Sequence, residues 1–335
     1  MSPDAPASRR LDLPDARDVL AAAARIAPHA HVTPVLRSRS LDALAGCGLH
    51  FKCENLQRVG AFKFRGACNA VMALSDADAA RGVVTQSSGN HGAAIALACR
   101  QRGIAATVVV PQGATRAKVE AMRTYGARLV PCEAGQAPRD AATAAVLAET
   151  GGVLVHPFDD VYVIAGQGTA ALELLQAAPE VDTLIAPIGG GGLVSGTVLA
   201  ARGVGERAGR RVEVFAAEPA GAAEAQASLA QGERVRNAGT DTLCDGLRAD
   251  IGARPFALLQ QAHAERQLRA ILPVDDADTL AAMRLLWERL KVLVEPSAAI
   301  AFAAILRHPE AFAGRQVGVI LSGGNLDLDR LPWAS

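Results

Sequence analysis

Short β-branched runs alternate along this chain with longer Ala-rich stretches of helical period, and this alternation narrows the possible folds more than any other feature. The runs are Gly82-Val83-Val84-Thr85, Ala106-Thr107-Val108-Val109-Val110, Arg128-Leu129-Val130, Thr183-Leu184-Ile185-Ala186, Val212-Glu213-Val214-Phe215 and Val317-Gly318-Val319-Ile320-Leu321. Between them lie the helix candidates His91–Gln101, Ala117–Tyr125, Arg139–Glu149, Gly168–Gln176 and Asp276–Lys291. Strands alternating with helices predict an α/β chain with mostly parallel sheets flanked by helices. Gly103, Gly126 and Gly151 each follow a helical pattern, as stop signals do. Three strand–helix units between about Gly82 and Val155 form a compact block. That block reads as a small α/β domain, 76–155, inserted into a larger discontinuous one, 1–75 and 156–335.

A chain of 335 residues has room for a large core and roughly two domains. Half its residues are hydrophobic, and 34 basic residues balance 34 acidic ones. That balance fits a soluble globular enzyme and gives no basic face for nucleic acid. No uninterrupted apolar run is long enough to span a bilayer. Met1 to Asp18 is rich in Pro, Asp and Arg and lacks an apolar signal core, which reads as a short disordered arm on a cytoplasmic protein. The six cysteines are scattered without a Cys-x-x-Cys pair, so packed, reduced thiols are preferred over zinc or a disulfide framework. No repeat of 20–50 residues occurs.

Several segments carry chemistry. Phe51 to Ala67 contains Phe62-Lys63, and a lysine can act as a Schiff-base nucleophile only if other segments supply its surroundings. After the strand-like run Val181–Ile188 come Gly189, Gly190, Gly191 and Gly192, and then a helix opening at Leu193. Glycines let backbone N–H groups approach an anion at a helix N-terminus, where the dipole helps. The loop has no lysine, so it is not a nucleotide P-loop. A tight turn is the plainer alternative, but four consecutive glycines are costly for a turn alone, which favours a phosphate cradle. Ser87-Ser88-Gly89-Asn90-His91-Gly92 starts another helix. Its hydroxyls, amide and free N–H groups suit either an N-cap or a carboxylate site. Gly166-Gln167-Gly168-Thr169-Ala170-Ala171 matches the dinucleotide pattern formally, but the next strand ends in the glycine run where a ribose-binding acid is needed. A helix N-terminus is preferred there. Ser322-Gly323-Gly324-Asn325 follows the last strand, where ligands of α/β sheets sit. Glu218 and Glu224, with a carbonyl between them, either hold a hard cation or are solvated loop acids.

Taken together, these segments resemble the pyridoxal-phosphate serine/threonine dehydratase and serine racemase family, of the two-domain tryptophan-synthase β-like fold (fold type II). The resemblance runs from Thr33-Pro34-Val35-Leu36 to Ser322-Gly323-Gly324-Asn325 and includes Val155-His156-Pro157-Phe158, Ala165-Gly166-Gln167-Gly168-Thr169 and Val294-Glu295-Pro296-Ser297. It implies that Lys63 condenses with the cofactor's aldehyde, with Phe62 beside the ring. It further implies that Asn90 bonds the 3′-oxygen, Gly189 to Leu193 hold the phosphate, and Ser322 faces the pyridine nitrogen. Ser87, Ser88, Asn90 and His91 would take the substrate carboxylate, with no catalytic role for His91. Glu218, the Ala222 carbonyl and Glu224 match a site for Mg²⁺, Mn²⁺ or Ca²⁺, although the last ligand is usually Asp.

The resemblance implies an ammonia-lyase that eliminates water from L-threonine or L-serine, giving a 2-oxo acid and ammonia. Lys63, its pKa lowered by desolvation, would take the α-proton. A neutral Ser322 cannot hold a protonated ring nitrogen as Asp would, which favours elimination. Ser88 occupies the position of a second acid/base on the opposite face, which keeps serine racemase open, as is 3-hydroxyaspartate dehydratase. A homodimer is implied by the family. Lys291 and Asn325 match the nucleotide-activated pattern of some racemases, but Arg58 and Val59 replace its usual Lys-Thr. The length after Ser322 leaves no room for a C-terminal regulatory domain. A dinucleotide oxidoreductase resting on Gly166–Ala171, or a cofactor-free amino-acid-binding protein using Ser87–Gly92, are readings from other classes.

Overall fold

The computed structural model describes residues 11–331 and 333, apart from 115 and 238. Its strands are β1 (Val35–Leu36), β2 (Gly48–Cys53), β3 (Val83–Gln86), β4 (Ala106–Pro111), β5 (Arg128–Cys132), β6 (Val153–Leu154), β7 (Thr183–Pro187), β8 (Glu213–Pro219), β9 (Leu268–Val274) and β10 (Gln316–Leu321). They form a six-stranded sheet in the order β1-β2-β10-β7-β8-β9 and a four-stranded sheet in the order β5-β4-β3-β6. Among the strands of the described residues, β1–β2 pair antiparallel and the other strand pairings are parallel. This is the α/β architecture of mostly parallel sheets expected from the alternation, with helices making the crossovers that parallel strands require.

The central strand of the larger sheet, β10, sets Val319 beside Phe51 of β2 and Ile185 of β7. Each of these is fully buried, as strands covered by helices on both faces must be. Phe51 meets Phe302 edge-on with centroids 5.6 Å apart, which locks the Pro296–Arg307 helix onto this sheet. The glycines read as helix stops behave accordingly: Gly103 and Gly151 adopt φ of 73° and 63°, a region open to glycine and costly for a residue with a β-carbon.

Three local readings are corrected. The helix placed at Gly168–Gln176 spans Val161–Ala177, because Asp160 caps it by accepting from the Tyr162 and Val163 amides at 2.8 and 3.0 Å. Gly166 and Gly168 therefore lie inside a helix and form no N-terminal loop. A β-carbon on Gly166 would stand 2.6 Å from Gly66 Cα, and one on Gly168 2.6 Å from the Gly196 carbonyl. The dinucleotide-like glycines are contact points where three helices cross closely. In the N-terminal arm, residues 1–10 lie outside the described residues, but Asp15 starts the helix Ala16–Ile26 with a reciprocal Asp15/Asp18 capping box. Strand β2 escaped notice because His50 and Lys52 interrupt its apolar pattern, yet both are buried.

Lys52 is tolerated there by an ion network. Its ammonium donates to the Thr33 carbonyl at 2.7 Å and to Glu173 at 2.6 Å. Arg65, two residues beyond Lys63, donates to both Glu54 oxygens (2.6 and 2.8 Å) and both Glu173 oxygens (2.7 Å each). Two cations and two anions thus neutralise one another, and the guanidinium fork is nearly saturated. Burial opposes the Arg65 charge, but Glu54 and Glu173 hold it ionised. The network ties the start of the Lys63–Ala73 helix to β2 and to the Val161–Ala177 helix.

Candidate active site

The chain contains four lysines, and their surroundings differ sharply. Lys52 pairs with Glu173, Lys118 pairs with Asp245 and Glu295, and Lys291 is exposed. Lys63 has no carboxylate partner; its Nζ donates to the Pro157 carbonyl at 2.9 Å and stands 5.2 Å from the Phe62 ring centre. The side chain as a whole is half-buried, but its ammonium lies deep, and that burial pulls its pKa down to about 8. A desolvated, unpaired lysine of lowered pKa is a nucleophile and a base near neutral pH.

The elements around Lys63 are joined by short contacts. The Phe62 amide donates to the Ser322 carbonyl at 3.0 Å, and Ala61 bridges to Gly323. Ser322 is buried, with Oγ donating to the Ser297 carbonyl at 3.3 Å. Pro157 leads into Phe158, whose ring lies where a β-carbon on Gly190 would be. Gly189 is likewise closed by Leu247, and Gly191, at φ 86°, lies against Pro255 and Ile251. Part of the reason for four glycines is therefore packing by Phe158, Leu247 and Pro255, which the sequence alone does not reveal.

The remaining reason is electrostatic. The 17-residue helix Gly192–Ala208 begins at Gly191 with no side-chain cap, and Gly189 to Val194 are all buried. Ser195 Oγ, one turn in, is buried without a hydrogen-bond partner. Buried, uncapped helix amides beside an orphaned hydroxyl fit an anionic group. Together with unpaired Lys63, these groups fit the aldehyde and phosphate ends of pyridoxal phosphate.

The segment Ser87 to His91 lies at the other end of this arrangement. Ser87 Oγ accepts from the Gly89 amide at 3.1 Å, so it caps the turn locally, while Ser88 is exposed. His91 is buried with both ring nitrogens unpartnered; burial first, and the Lys63 charge second, hold it well below the usual histidine pKa, so it is neutral. Asn90 is fixed from two sides. Its Nδ2 donates to Glu295 Oε1 at 2.8 Å, and its Oδ1 accepts from Asn325 Nδ2 at 3.0 Å. Behind it lies a cavity of about 290 Å³ lined by Val59, Lys118, Tyr125 and Asn325 among others.

Glu295 was not singled out from the sequence: Pro296 marks a helix start, but Glu295 makes no side-chain cap there. It is buried, and burial pushes its carboxyl up to about 7. Its Oε1 occupies the space a β-carbon on Gly323 would need, which accounts for glycine in Ser322-Gly323.

Glu218 and Glu224 are not solvated loop acids. Glu218, at the end of β8, accepts from the Ala225 and Gln226 amides at 2.7 and 2.9 Å. Glu224 accepts from the Ile251 amide at 2.7 Å and from Ser228 Oγ at 3.2 Å. Burial raises both to about 7. Ala222, itself buried, lies between them at the end of the 3₁₀ turn Ala220–Ala222. No group of three or more His, Cys, Asp or Glu side chains is placed to hold a metal among the described residues, so a cation here would need the carbonyl and water as well. Glu224 connects this pair to the glycine run, because Ile251 packs over Gly191.

The family model described as "Pyridoxal-phosphate dependent enzyme" matches residues 26–323. The chain is 44% identical over 321 residues to a beta-hydroxyaspartate dehydratase of Paracoccus denitrificans, covering 96% of this chain and 99% of the other. A serine racemase of Arabidopsis thaliana is 44% identical over 316 residues, 93% of this chain and 92% of the other. The structure of maize serine racemase superposes with a TM-score of 0.90 at 43% identity, over 95% of each chain.

Proposed function

The chain belongs to the pyridoxal-phosphate dependent enzymes, and we propose that within their ammonia-lyase and racemase branch it eliminates water from L-serine or L-threonine. The observation that carries this reading is Lys63: a half-buried lysine with a deep-lying ammonium and no carboxylate partner among the described residues, at a pKa of about 8, one residue beyond the Phe62 amide that bonds the buried Ser322. When bound, the cofactor supplies the electron-withdrawing ring that makes a substrate's α-proton removable.

The protein's own groups divide the remaining work. Lys63 Nζ, unprotonated in a substantial fraction near pH 8, takes the α-proton. The Gly189–Leu193 amides would hold the cofactor's phosphate, Phe62 would lie beside its ring, and Asn90, clamped by Glu295 and Asn325, would meet its 3′-oxygen. Ser87, Ser88, Asn90 and His91 receive the substrate carboxylate, and neutral His91 adds no charge there. Ser322 presents a hydroxyl that cannot stabilise a protonated ring nitrogen as a carboxylate does. Cleavage of the β-carbon–oxygen bond, with the hydroxyl leaving as water together with the α-proton, would give an enamine that hydrolyses to a 2-oxo acid and ammonia. Glu218, the Ala222 carbonyl and Glu224 hold a divalent cation of the Mg²⁺, Mn²⁺ or Ca²⁺ type, which braces Ile251 and through it the glycine run. The chain pairs as a homodimer.

A second reading takes 3-hydroxyaspartate as the substrate, and Arg139 favours it. Its Nε is buried without a hydrogen-bond partner. The neighbouring Asp140 accepts from Gln86, the residue before Ser87, at 3.1 Å. A spare guanidinium donor on the residue next to this contact suits a substrate with a second carboxylate. A product assay decides between the readings. L-serine, L-threonine and both 3-hydroxyaspartate diastereomers are offered to wild type and Arg139→Met, following the 2-oxo acid. Serine or threonine turnover insensitive to Arg139→Met supports the first reading. Preference for hydroxyaspartate, lost in Arg139→Met, supports the second.

A further inference from the structure

Lys118 has no place in the reaction above, yet it is among the most constrained cations in the molecule. It lies on the helix Arg116–Thr124, between β4 and β5 of the four-stranded sheet. Its partners belong to the other sheet's surroundings. Nζ is 2.6 Å from Asp245 Oδ2, in the turn Asp245–Leu247, and 3.5 Å from Glu295 Oε2, before the Pro296–Arg307 helix. Lys118 and Glu295 are 7% and 4% exposed, so the charge is buried across the junction of the two sheets' units. Its aliphatic stem runs over Gly89: a β-carbon there would stand 2.8 Å from Lys118 Cδ. The other oxygen of Glu295 accepts from Asn90. A single side chain therefore touches the Ser87–Gly92 segment, the carboxylate that clamps Asn90, and an acid on the opposite unit.

We propose that Lys118 is a positioning residue that latches the four-stranded-sheet unit over the active site and, through Glu295, fixes the Asn90 carboxamide in its working orientation. Removing the cation breaks both of these ion pairs between the units and leaves Glu295 and Asp245, two acids of the larger-sheet unit, without their counter-charge. Burial works against the Lys118 ammonium, but Glu295 and Asp245 overcome it and hold the pKa above the ordinary lysine value. The Asn90 part rests on the proposed reaction; the latch between the units does not.

The test uses cofactor-loaded enzyme with Lys118→Met, Asp245→Asn and the double variant. Backbone hydrogen exchange is measured over 87–92 and 116–124 without substrate, then KM and kcat with L-serine and 3-hydroxyaspartate. Lys118→Met should raise exchange in both segments and raise KM about tenfold, a loss of roughly 1.4 kcal/mol, with kcat within about twofold. Asp245 is 40% exposed, so Asp245→Asn should fold normally and shift both readouts in the same direction. The double variant should be no worse than Lys118→Met alone, and Lys118→Arg should restore much of the loss. Unchanged exchange in both single variants overturns the latch, as does additivity in the double variant. Raised exchange with unchanged KM confines Lys118 to joining the units and overturns its role toward Asn90. If Lys118→Met does not fold, exchange in Asp245→Asn decides alone.

Discussion

Ser322 and Phe62 are joined by a backbone hydrogen bond of 3.0 Å, so the end of β10 and the turn that carries Lys63 are positioned as one piece. A substitution at Ser322 is therefore read out beside Lys63. In Ser322→Asp the new carboxylate should draw a proton onto the ring nitrogen, shift the cofactor's absorbance and lower elimination by about tenfold or more. An unchanged spectrum and rate would place Ser322 away from that nitrogen.

The carboxyls of Glu218 and Glu224 make a pH-dependent prediction with a definite sign. Both are raised by burial from 4.5 to about 7. A carboxyl raised on folding binds its proton more tightly in the native state. Its stabilising contribution is thus complete below about 4.5 and is lost as pH rises through 7. A bound cation reverses the preference by favouring the ionised pair. Chelated protein should lose thermal stability between pH 5 and 8, and Mg²⁺ or Ca²⁺ should restore more at pH 8 than at pH 5. Glu295 contributes to the slope with the same sign but not to the cation response. Glu218→Gln with Glu224→Gln should abolish that response; a cation effect that survives both changes would place the ion elsewhere.

Arg65 and Glu54 are both fully buried, and each is the other's main partner. Arg65→Met removes one cation from a network holding two anions and should cost about 3–5 kcal/mol, read as the shift in denaturant midpoint at constant slope. Arg65→Lys should recover little, because an ammonium cannot bond Glu54 and Glu173 together through a planar fork. A loss under about 1 kcal/mol in Arg65→Met would mean that the network contributes little net stability.

What the sequence disclosed, and what it withheld, follow from the range of the interactions. The parallel α/β architecture was legible because strand and helix periodicities are local properties, and glycine stops such as Gly103 and Gly151 record a backbone angle. Segments such as Phe62-Lys63 and the glycine run were legible as short motifs. Lys118, Glu295 and Arg65 were not, because each acquires its meaning from partners far along the chain, and nothing at Ala117-Lys118-Val119 marks a buried cation. Gly166 and Gly168 misled for the same reason: glycine serves a ligand loop and a helix crossing equally well, and only the contacts with Gly66 and Gly196 distinguish the two.

Ser88 is exposed at the start of the Asn90–Arg102 helix, and its assignment as the second acid/base has a separable consequence. A proton moved by Lys63 on one face cannot invert the α-carbon unaided. Wild type should form D-serine from L-serine more slowly than it forms pyruvate, and Ser88→Ala should lose D-serine formation while retaining part of the elimination. Chiral analysis of the serine pool measures this; equal D-serine from both proteins would remove Ser88 from that role, and racemisation faster than elimination would make racemase the better description.

The assignment of Lys63 is tested most directly by fixing the cofactor chemically where it is attached. Borohydride reduction of the yellow, cofactor-loaded protein followed by peptide mass mapping reports which of the four lysines carries the pyridoxyl group. The label should fall on Lys63 alone, and Lys63→Ala should fold normally, take no label and show no turnover. Labelling at Lys52, Lys118 or Lys291, or near-normal turnover in Lys63→Ala, would contradict the account.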